Sequence, residues 1–583
     1  MELEPLRLPF DLTLRLPGSK SQANRLLIAA CLTEGRTVIR DATPADDVVT
    51  LVDNLQRLGF RLEWFDREAG VVVVDGGLPA CAPAEPVELD CGDAGTVLRF
   101  LTAIAALLPG EWILTGTARL RERPIGDLVD ALRQLGVDAR DAGGRAPVRI
   151  RGGGCSGGVA RVDASRSSQF VSALMLAGAA LEGGLRIECT AAVASPGYIE
   201  LTRDVLARFG VDIAREGTAL IVPGGRLRAS GDAVVEGDWS AAGAWLALAE
   251  ITRSRIAATN LDPQSAQADR LMPLQLELLR ADGDLTLDVT ETPDQTMNLA
   301  VVAALRAGET RFRGATNLRD KECDRLAATV AGLRAVGVDA RETEDGMVIR
   351  GPSRLRPADL VCHGDHRMAI AFALLGAVAP GLSIDDPTCV SKSYPGFFDD
   401  LRSARQSPRC IALIGMRGAD KSTLATAVAR ELGIEAADTD ARIVAQHGDL
   451  AALIQRCGWS TFRAIESGAI AEALGPGRVV AIGGGALEVP RNVELIRGRA
   501  LVVWVREAQD VLLTRLEASA RPRLSELPLV DELRVVLARR EAIWASIADL
   551  QLPERTTVAQ RSRAITEFVK APLSRGSIAA TPG

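Results

Sequence analysis

A segment pattern recurring through roughly the first 400 residues constrains the fold more than any other feature of this 583-residue chain. LVDNLQRLGFRLEW turns at Gly59, LVDALRQLGVDARD at Gly136 and RDVLARFGVDIAR at Gly210, with LELLRADGDLTLD around Gly283 and VAGLRAVGVDARE around Gly337. In each, apolar residues at helical spacing stop at a glycine and alternating apolar residues follow. A helix closed by a left-handed cap and feeding a strand requires that order. Strand-like stretches such as GVVVVDGG and RIECTAAV lie between copies, and the first three copies sit about 75 residues apart. The pattern predicts a repeated α+β unit.

The repeat stops after Pro395-Gly396-Phe397-Phe398. A short polar segment, Ser403 to Pro408, reads as a linker. Cys410-Ile-Ala-Leu-Ile-Gly415 then reads as a buried strand entering a glycine turn and a helix, the start of a new α/β domain with a parallel sheet. Residues 574–583 read as a frayed tail.

Composition narrows the function classes. Apolar residues are 47% and charged residues 25% of the chain, which excludes a disordered or fibrous protein. Apolar runs such as Phe100 to Leu108 are far shorter than a membrane span, and MELEPLRLPFD carries no secretory signal. A net charge of −7 disfavours a nucleic-acid partner. Ten cysteines without a CxxC pair suggest reduced thiols and a cytoplasmic location. The three histidines, His363, His366 and His447, are too few for a multi-histidine metal centre, so acid–base chemistry must rest on carboxylates and lysines.

Several clusters in the first 400 residues suit anionic ligands. Leu16-Pro-Gly-Ser-Lys20-Ser21-Gln-Ala-Asn-Arg25 enters an apolar helix, whose N-terminus already favours negative charge. Cys91-Gly-Asp93-Ala-Gly95-Thr96-Val-Leu-Arg99 permits close backbone approach, and Arg121-Glu-Arg123-Pro-Ile-Gly126 supplies guanidinium groups that clamp carboxylates and phosphates. Ser167-Ser168-Gln169, Ser195 with Tyr198, Pro293-Asp294, Asn317 with Lys321-Glu322-Cys-Asp324-Arg325, His363-Gly-Asp365-His366-Arg367 and Ser391-Lys392-Ser-Tyr394 complete the set. Many cations, few carboxylates and no nucleophile–histidine pair point to two anionic substrates and proton transfer, not to hydrolysis by a triad.

In order and spacing, LPGSKS..NR, GDAGT..R, RERPIG, SSQF, PD..M, KE.DR, GDHRMA and SKSYP resemble EPSP synthase (3-phosphoshikimate 1-carboxyvinyltransferase) over residues 5–402. The resemblance implies a two-lobed enolpyruvyl transferase fold of repeated βαβαββ units with substrates in the cleft. It implies that Lys20, Ser21, Arg25, Ser167, Ser168, Gln169, Ser195, Tyr198, Asp294, Asn317 and Lys321 hold shikimate 3-phosphate. By the same resemblance Lys20, Asp93, Gly95, Arg123, Gln169, Arg325, Arg367 and Lys392 surround phosphoenolpyruvate. Asp294 would take the proton from the 5-hydroxyl, Glu322 would handle the proton at C3, and Lys20 would join them in catalysis, with no cofactor. Two residues depart from the family pattern: Asp93 stands where asparagine is usual, and Phe100 where proline is common. The first is expected to weaken phosphoenolpyruvate binding, the second to shift Gly95 and inhibition by glyphosate. The sister transfer to UDP-N-acetylglucosamine is disfavoured, because Leu120 to Gly126 contains no cysteine.

Beyond the linker, Gly415-Met-Arg-Gly418-Ala-Asp420-Lys421-Ser422-Thr423 has the strand, glycine turn, lysine, hydroxyl and helix of a phosphate-binding loop, but Asp420 replaces the glycine before the lysine. With Asp438-Thr-Asp440, Arg463-Ala-Ile-Glu466, Gly483-Gly-Gly485, Arg521-Pro522 and Arg540, residues 409–572 resemble shikimate kinase. The resemblance implies ATP at Gly415, Gly418, Lys421, Ser422, Thr423 and the lid residue Arg521, Mg²⁺ at Ser422 and Asp438, and shikimate at Asp440, Arg463, Gly484 and Arg540. A carboxylate about 5 Å from a phosphate charge repels it by roughly 3 kcal/mol at an effective dielectric near 20, about a hundredfold in affinity. The sequence therefore supports two readings: a bifunctional enzyme running consecutive steps of the shikimate pathway, and an active transferase carrying a pseudokinase as a binding or assembly module. Its partners are small molecules, with no nucleic acid or membrane, and its oligomeric state is open.

Overall fold

The computed structural model describes residues 1–570 apart from 226, 230 and 519–526. The chain divides into two compact units: Met1–Pro5, Leu14–Leu248 and Ala258–Phe398 form one, while Leu6–Thr13, Ala249–Ala257 and everything from Asp399 form the other.

In the first unit the expected repeat is explicit. Strand Val87–Asp90, helix Gly95–Ala105, strand Gly110–Thr115, helix Gly126–Gln134 and strands Asp138–Arg140 and Val148–Gly152 run βαβαββ. The first two strands pair in parallel and the last two add antiparallel. Strands Gly158–Val162, Leu185–Cys189, Ala219–Val222 and Ala214–Glu216 pair in the same way, as do Leu285–Asp288, Gly308–Arg313, Met347–Gly351 and Asp339–Glu342. A further sheet of Gly35–Arg40, Val71–Gly76 and Arg61–Asp66 borrows its first strand, Asp232–Val234, from far along the chain. That return closes the first lobe around one apolar core running from Ala23 to Val235. The second lobe is less regular: beside its four-stranded sheet, Glu2–Leu3, Leu382–Ile384 and Ala358–Leu360 make only three strands.

The glycine signal is physical at four of its five positions. Gly59, Gly136, Gly210 and Gly337 all have positive φ, between 80° and 93°. In each case the next residue's N–H bonds back across the last helical turn, as Phe60 does to Leu55 O and Val137 to Leu132 O. Gly283 differs. Its φ is also positive, at 92°, but helix Met272–Leu279 ends four residues earlier, and the Gly283 carbonyl lies where a Cβ on Gly308 would clash. The strand after it opens a new unit, whereas the strands after the other four lie inside one, so LELLRADGDLTLD is not an equivalent copy.

The second unit carries a five-stranded, wholly parallel sheet in the spatial order Glu435–Asp438, Arg478–Ala481, Cys410–Ile414, Ala500–Val505, Leu550–Leu552. Its central strand is buried at every position, as the continuous apolar run requires. The strand order reverses on either side of it, which opens a crevice at its carboxyl end. The linker expected at 403–408 is half helical, because helix Phe397–Arg405 runs into it. The expected tail and Arg521 lie outside the described residues.

Candidate active site

The first unit contains a cleft of about 800 Å³. Of the transferase residues singled out from the sequence, Lys20, Ser21, Arg25, Gly95, Arg123, Ser167, Ser168, Gln169, Ser195, Tyr198, Asp294, Asn317, Lys321, Glu322, Arg325 and Arg367 all line it. Residues more than 300 positions apart meet because helix starts converge there: Lys20 opens Lys20–Leu32, Gly95 opens Gly95–Ala105, Gln169 opens Gln169–Ala180, Arg325 opens Arg325–Ala335 and His366 opens His366–Val378. Such ends favour anions, and two of them already hold one, Asp324 accepting from the Ala327 N–H and Asp365 from the Arg367 N–H.

Arg325 is the hub, only 2% exposed. Its Nε and Nη2 hold Asp365 at 2.7 and 3.2 Å, Nη1 reaches Asp294 at 2.9 Å, and Nη2 also reaches Glu322 at 2.7 Å. Asp294 also receives Arg367 at 3.1 Å, Lys321 at 3.4 Å and the Tyr198 hydroxyl at 3.1 Å. Burial pushes the Asp294 carboxyl upward, but Arg367, Lys321 and Arg325 outweigh it and hold it well below the usual carboxylate range. Glu322 behaves alike: burial raises it, Lys392 at 3.0 Å, Arg325 and Arg123 prevail, and it stays ionised. Burial lowers the Lys321 ammonium, against the pull of Asp294. Tyr198 is held protonated by burial and by Asp294, so it can only donate to that carboxylate.

The other predicted residues fall into supporting positions. Arg25 is enclosed, donating to Thr202 at 2.7 Å and to the Ser21 carbonyl at 2.7 Å, and burial lowers it to about 10. The Phe100 ring lies under the Arg25 guanidinium, its centroid 5.1 Å from the guanidinium carbon. A Cβ at Gly95 would stand 2.6 Å from Arg123 Nη1, so any larger residue there displaces that guanidinium. Gln169 accepts from Arg99 at 2.6 Å and donates to Thr96 at 3.0 Å. Ser195, at φ 53°, accepts from Asn317 at 2.9 Å, and the buried Asn317 Oδ1 has no hydrogen-bond partner.

Asp93 departs from expectation. Its carboxylate is turned onto the Thr117 hydroxyl on the exposed side, and only its carbonyl meets the site, accepting from Lys392 at 3.0 Å. Sequence reasoning also missed two carboxylates. Asp365, fully buried, fixes Arg325, and its signal was its place beside His366 and Arg367. Asp47 pairs with Lys20 at 2.9 Å, and nothing distinguished it from an ordinary acidic first turn of a helix. His366 is buried with no hydrogen bond at either nitrogen, and burial with Lys20 and Arg367 nearby keeps it neutral.

In the second unit a cavity of about 560 Å³ opens at the end of the central strand, lined by Gly418, Asp420, Lys421, Ser422, Thr423, Asp438, Asp440 and Gly484. Lys421 is tucked onto the carbonyls of Gly415 and Met416 at 3.0 Å each. Ser422 donates to Asp438. That hydroxyl–carboxylate pair, beside a loop shaped for phosphates, is the sparse oxygen set that suits Mg²⁺, which takes the rest of its shell from phosphates and water. Among the described residues no cluster of three metal-binding side chains competes with it. Arg463 and Arg540 converge on Glu488 at 3.2 and 2.9 Å, and Arg540 also bonds the Gly484 carbonyl at 2.7 Å. Asp420 takes the left-handed conformation, φ 59° and ψ 29°, so the loop keeps the turn that glycine would give.

A cation-lined cleft between two lobes of βαβαββ units defines an enolpyruvyl-transferase-like protein, here joined to a P-loop domain. Residues 9–401 match the family model of EPSP synthase (3-phosphoshikimate 1-carboxyvinyltransferase), and the chain belongs to that family. Residues 417–570 match the shikimate kinase model. The 3-phosphoshikimate 1-carboxyvinyltransferase of Methanoculleus marisnigri is 39% identical over 412 residues, covering 67% of this chain and 96% of that relative. The enzyme of that name from Vibrio campbellii is 35% identical over 407 residues, covering 67% and 95%. In fold, the chain is similar to EPSP synthase from Acinetobacter baumannii, with a TM-score of 0.56 and 24% identity over 69% of this chain and 97% of that one.

Proposed function

We propose that residues 1–402 transfer the enolpyruvyl group of phosphoenolpyruvate to the 5-hydroxyl of shikimate 3-phosphate, and that residues 409–573, after the linker at 403–408 and before the tail at 574–583, phosphorylate shikimate at its 3-hydroxyl with ATP and Mg²⁺. One observation carries the transferase reading: Arg325 binds Asp294, Glu322 and Asp365 together in a cleft lined by further cations. Two trianions repel each other unless such a ring offsets their charge.

The chain's own carboxylates act as placeholders. Four cations of the cleft are paired with them: Lys20 with Asp47, Arg325 and Arg367 with Asp294, Lys392 with Glu322. When substrate oxyanions take over Arg325, Arg367 and Lys392, Glu322 loses counter-charge, its proton affinity rises, it takes up a proton from water and delivers that proton to C3 of phosphoenolpyruvate. The 5-hydroxyl oxygen bonds to C2 as its proton passes to Asp294. Return of a C3 proton to Glu322 then restores the double bond as the bond from C2 to the phosphate oxygen breaks, and the proton held by Asp294 passes to the leaving group, which departs as hydrogen phosphate beside Lys20. The step balances without a cofactor.

The kinase reading rests on the phosphate-loop turn, the Ser422–Asp438 pair and the arginines at Gly484. The order of activities is chemically coherent, since the second unit's product is the first unit's substrate. The pseudokinase alternative rests on Asp420 alone. A cytoplasmic setting is supported by ten cysteines that are all free thiols, and among the described residues no helix is long and apolar enough to cross a membrane. The test is phosphate release from shikimate 3-phosphate plus phosphoenolpyruvate, and separately ADP release from shikimate plus ATP·Mg²⁺. Phosphate without ADP favours the pseudokinase reading; neither product overturns both.

A further inference from the structure

Asp420 occupies the position immediately before Lys421 and lines the same cavity as Ser422, Thr423 and Asp438. An uncompensated carboxylate there opposes the phosphates that the loop is shaped to receive. The structure shows where its charge goes. Arg515, on helix Gln509–Glu517, places Nη1 at 2.9 Å from Asp420 Oδ2 and donates to the Gly418 carbonyl at 2.9 Å. The same Nη1 also donates to Glu507 at 3.2 Å, and Glu507 has a second, buried partner in Arg561 at 3.0 Å. Two carboxylates and two guanidinium groups therefore balance, with Arg561 on Glu507 and Arg515 shared between Glu507 and Asp420.

We infer that Arg515 is a positioning residue for nucleotide binding: it neutralises Asp420 and, through the Gly418 carbonyl, ties that carboxylate to the loop wall, so that the departure from glycine is tolerated. Left-handed backbone preserves the shape of the turn, and the guanidinium preserves its charge. The inference rests on the kinase reading above, and its test separates the two.

The experiment is titration calorimetry of ATP·Mg²⁺ into the full chain at low ionic strength, for the parent, Asp420→Gly, Arg515→Ala and the double variant, each checked for an unchanged circular dichroism spectrum. The expected result is that Arg515→Ala weakens binding at least tenfold in the parent but less than threefold in the Asp420→Gly background, because the unpaired carboxylate is then gone. A general contact between Arg515 and nucleotide would cost the same in both backgrounds, and that result overturns the inference. Binding by Asp420→Gly but not by the parent also overturns it, while leaving the domain's ancestry as a kinase intact. Absence of binding in both overturns the kinase reading and the inference with it. The coupling should shrink as salt is raised, because both partners are partly exposed.

Discussion

Replacing Gly95 by alanine isolates the role of one guanidinium. Gly95 is the first residue of helix Gly95–Ala105 and is not in the positive-φ region, so alanine meets no backbone strain. Helix propensity alone would favour the change by up to about 1 kcal/mol. The cost is steric. An added Cβ would lie 2.6, 2.7 and 2.8 Å from Arg123 Nη1, Cζ and Nη2, whereas carbon contacts settle near 3.5 Å, so the guanidinium must move by roughly 0.7 to 1 Å. Arg123 cannot drift freely: it is 5% exposed, and its Nε donates to the Asp320 carbonyl at 3.1 Å. Displacement therefore costs the hydrogen bond it offers to a bound anion, about 1.5–3 kcal/mol for a charged pair, equivalent to roughly ten- to hundredfold in affinity. Steady-state kinetics with each substrate varied in turn should show KM for phosphoenolpyruvate rising by that factor, KM for shikimate 3-phosphate moving less than threefold, and the melting temperature of the chain not falling. An unchanged KM for phosphoenolpyruvate refutes the assignment of Arg123; an equal rise for both substrates refutes its selectivity.

Other consequences follow from the same geometry. Asp93→Asn should leave KM for phosphoenolpyruvate within twofold, since the carboxylate faces Thr117 and only the carbonyl meets Lys392; a tenfold fall would place the charge in the cleft. Asp294 and Glu322 are held well below their usual range, so both stay ionised as pH falls through the range where an ordinary carboxylate takes up its proton. The kcat/KM of the free enzyme for phosphoenolpyruvate should therefore show no acidic limb from either between about pH 5 and 8, and a limb near 6 that Asp294→Asn or Glu322→Gln abolishes would contradict this. Glu488→Gln removes an internal counter-charge from Arg463 and Arg540 and should lower KM for shikimate several-fold with KM for ATP unchanged. A higher KM would mean that Glu488 orients the arginines and does not compete with the substrate.

Much of this was legible because the signals were local. Left-handed caps at Gly59, Gly136, Gly210 and Gly337 announce the repeat in every copy where the next strand belongs to the same unit, and the Gly283 copy misled because helix followed by strand also occurs across a unit boundary. Cations at helix starts were readable one by one, as were Asp294 and Glu322. What sequence could not supply was pairing. Asp365 and Asp47 look like ordinary acidic residues until the fold sets them against Arg325 and Lys20. Asp420 read alone looked inhibitory, because Arg515 is nearly 100 positions away and becomes its partner only when helix Gln509–Glu517 packs beside the loop. Phe100 and Asp93 show the same limit: the change of residue type is readable in the sequence, and only the fold shows that the Phe100 ring lies under Arg25 and that the Asp93 carboxylate meets Thr117.

The most direct test of the whole account follows ring-labelled shikimate through the intact protein by mass spectrometry, with ATP, Mg²⁺ and phosphoenolpyruvate present and a parallel reaction started from shikimate 3-phosphate. The account predicts the labelled enol ether from both starting points. Product only from shikimate 3-phosphate would contradict the kinase half, and product from neither would contradict the assignment of the cleft itself.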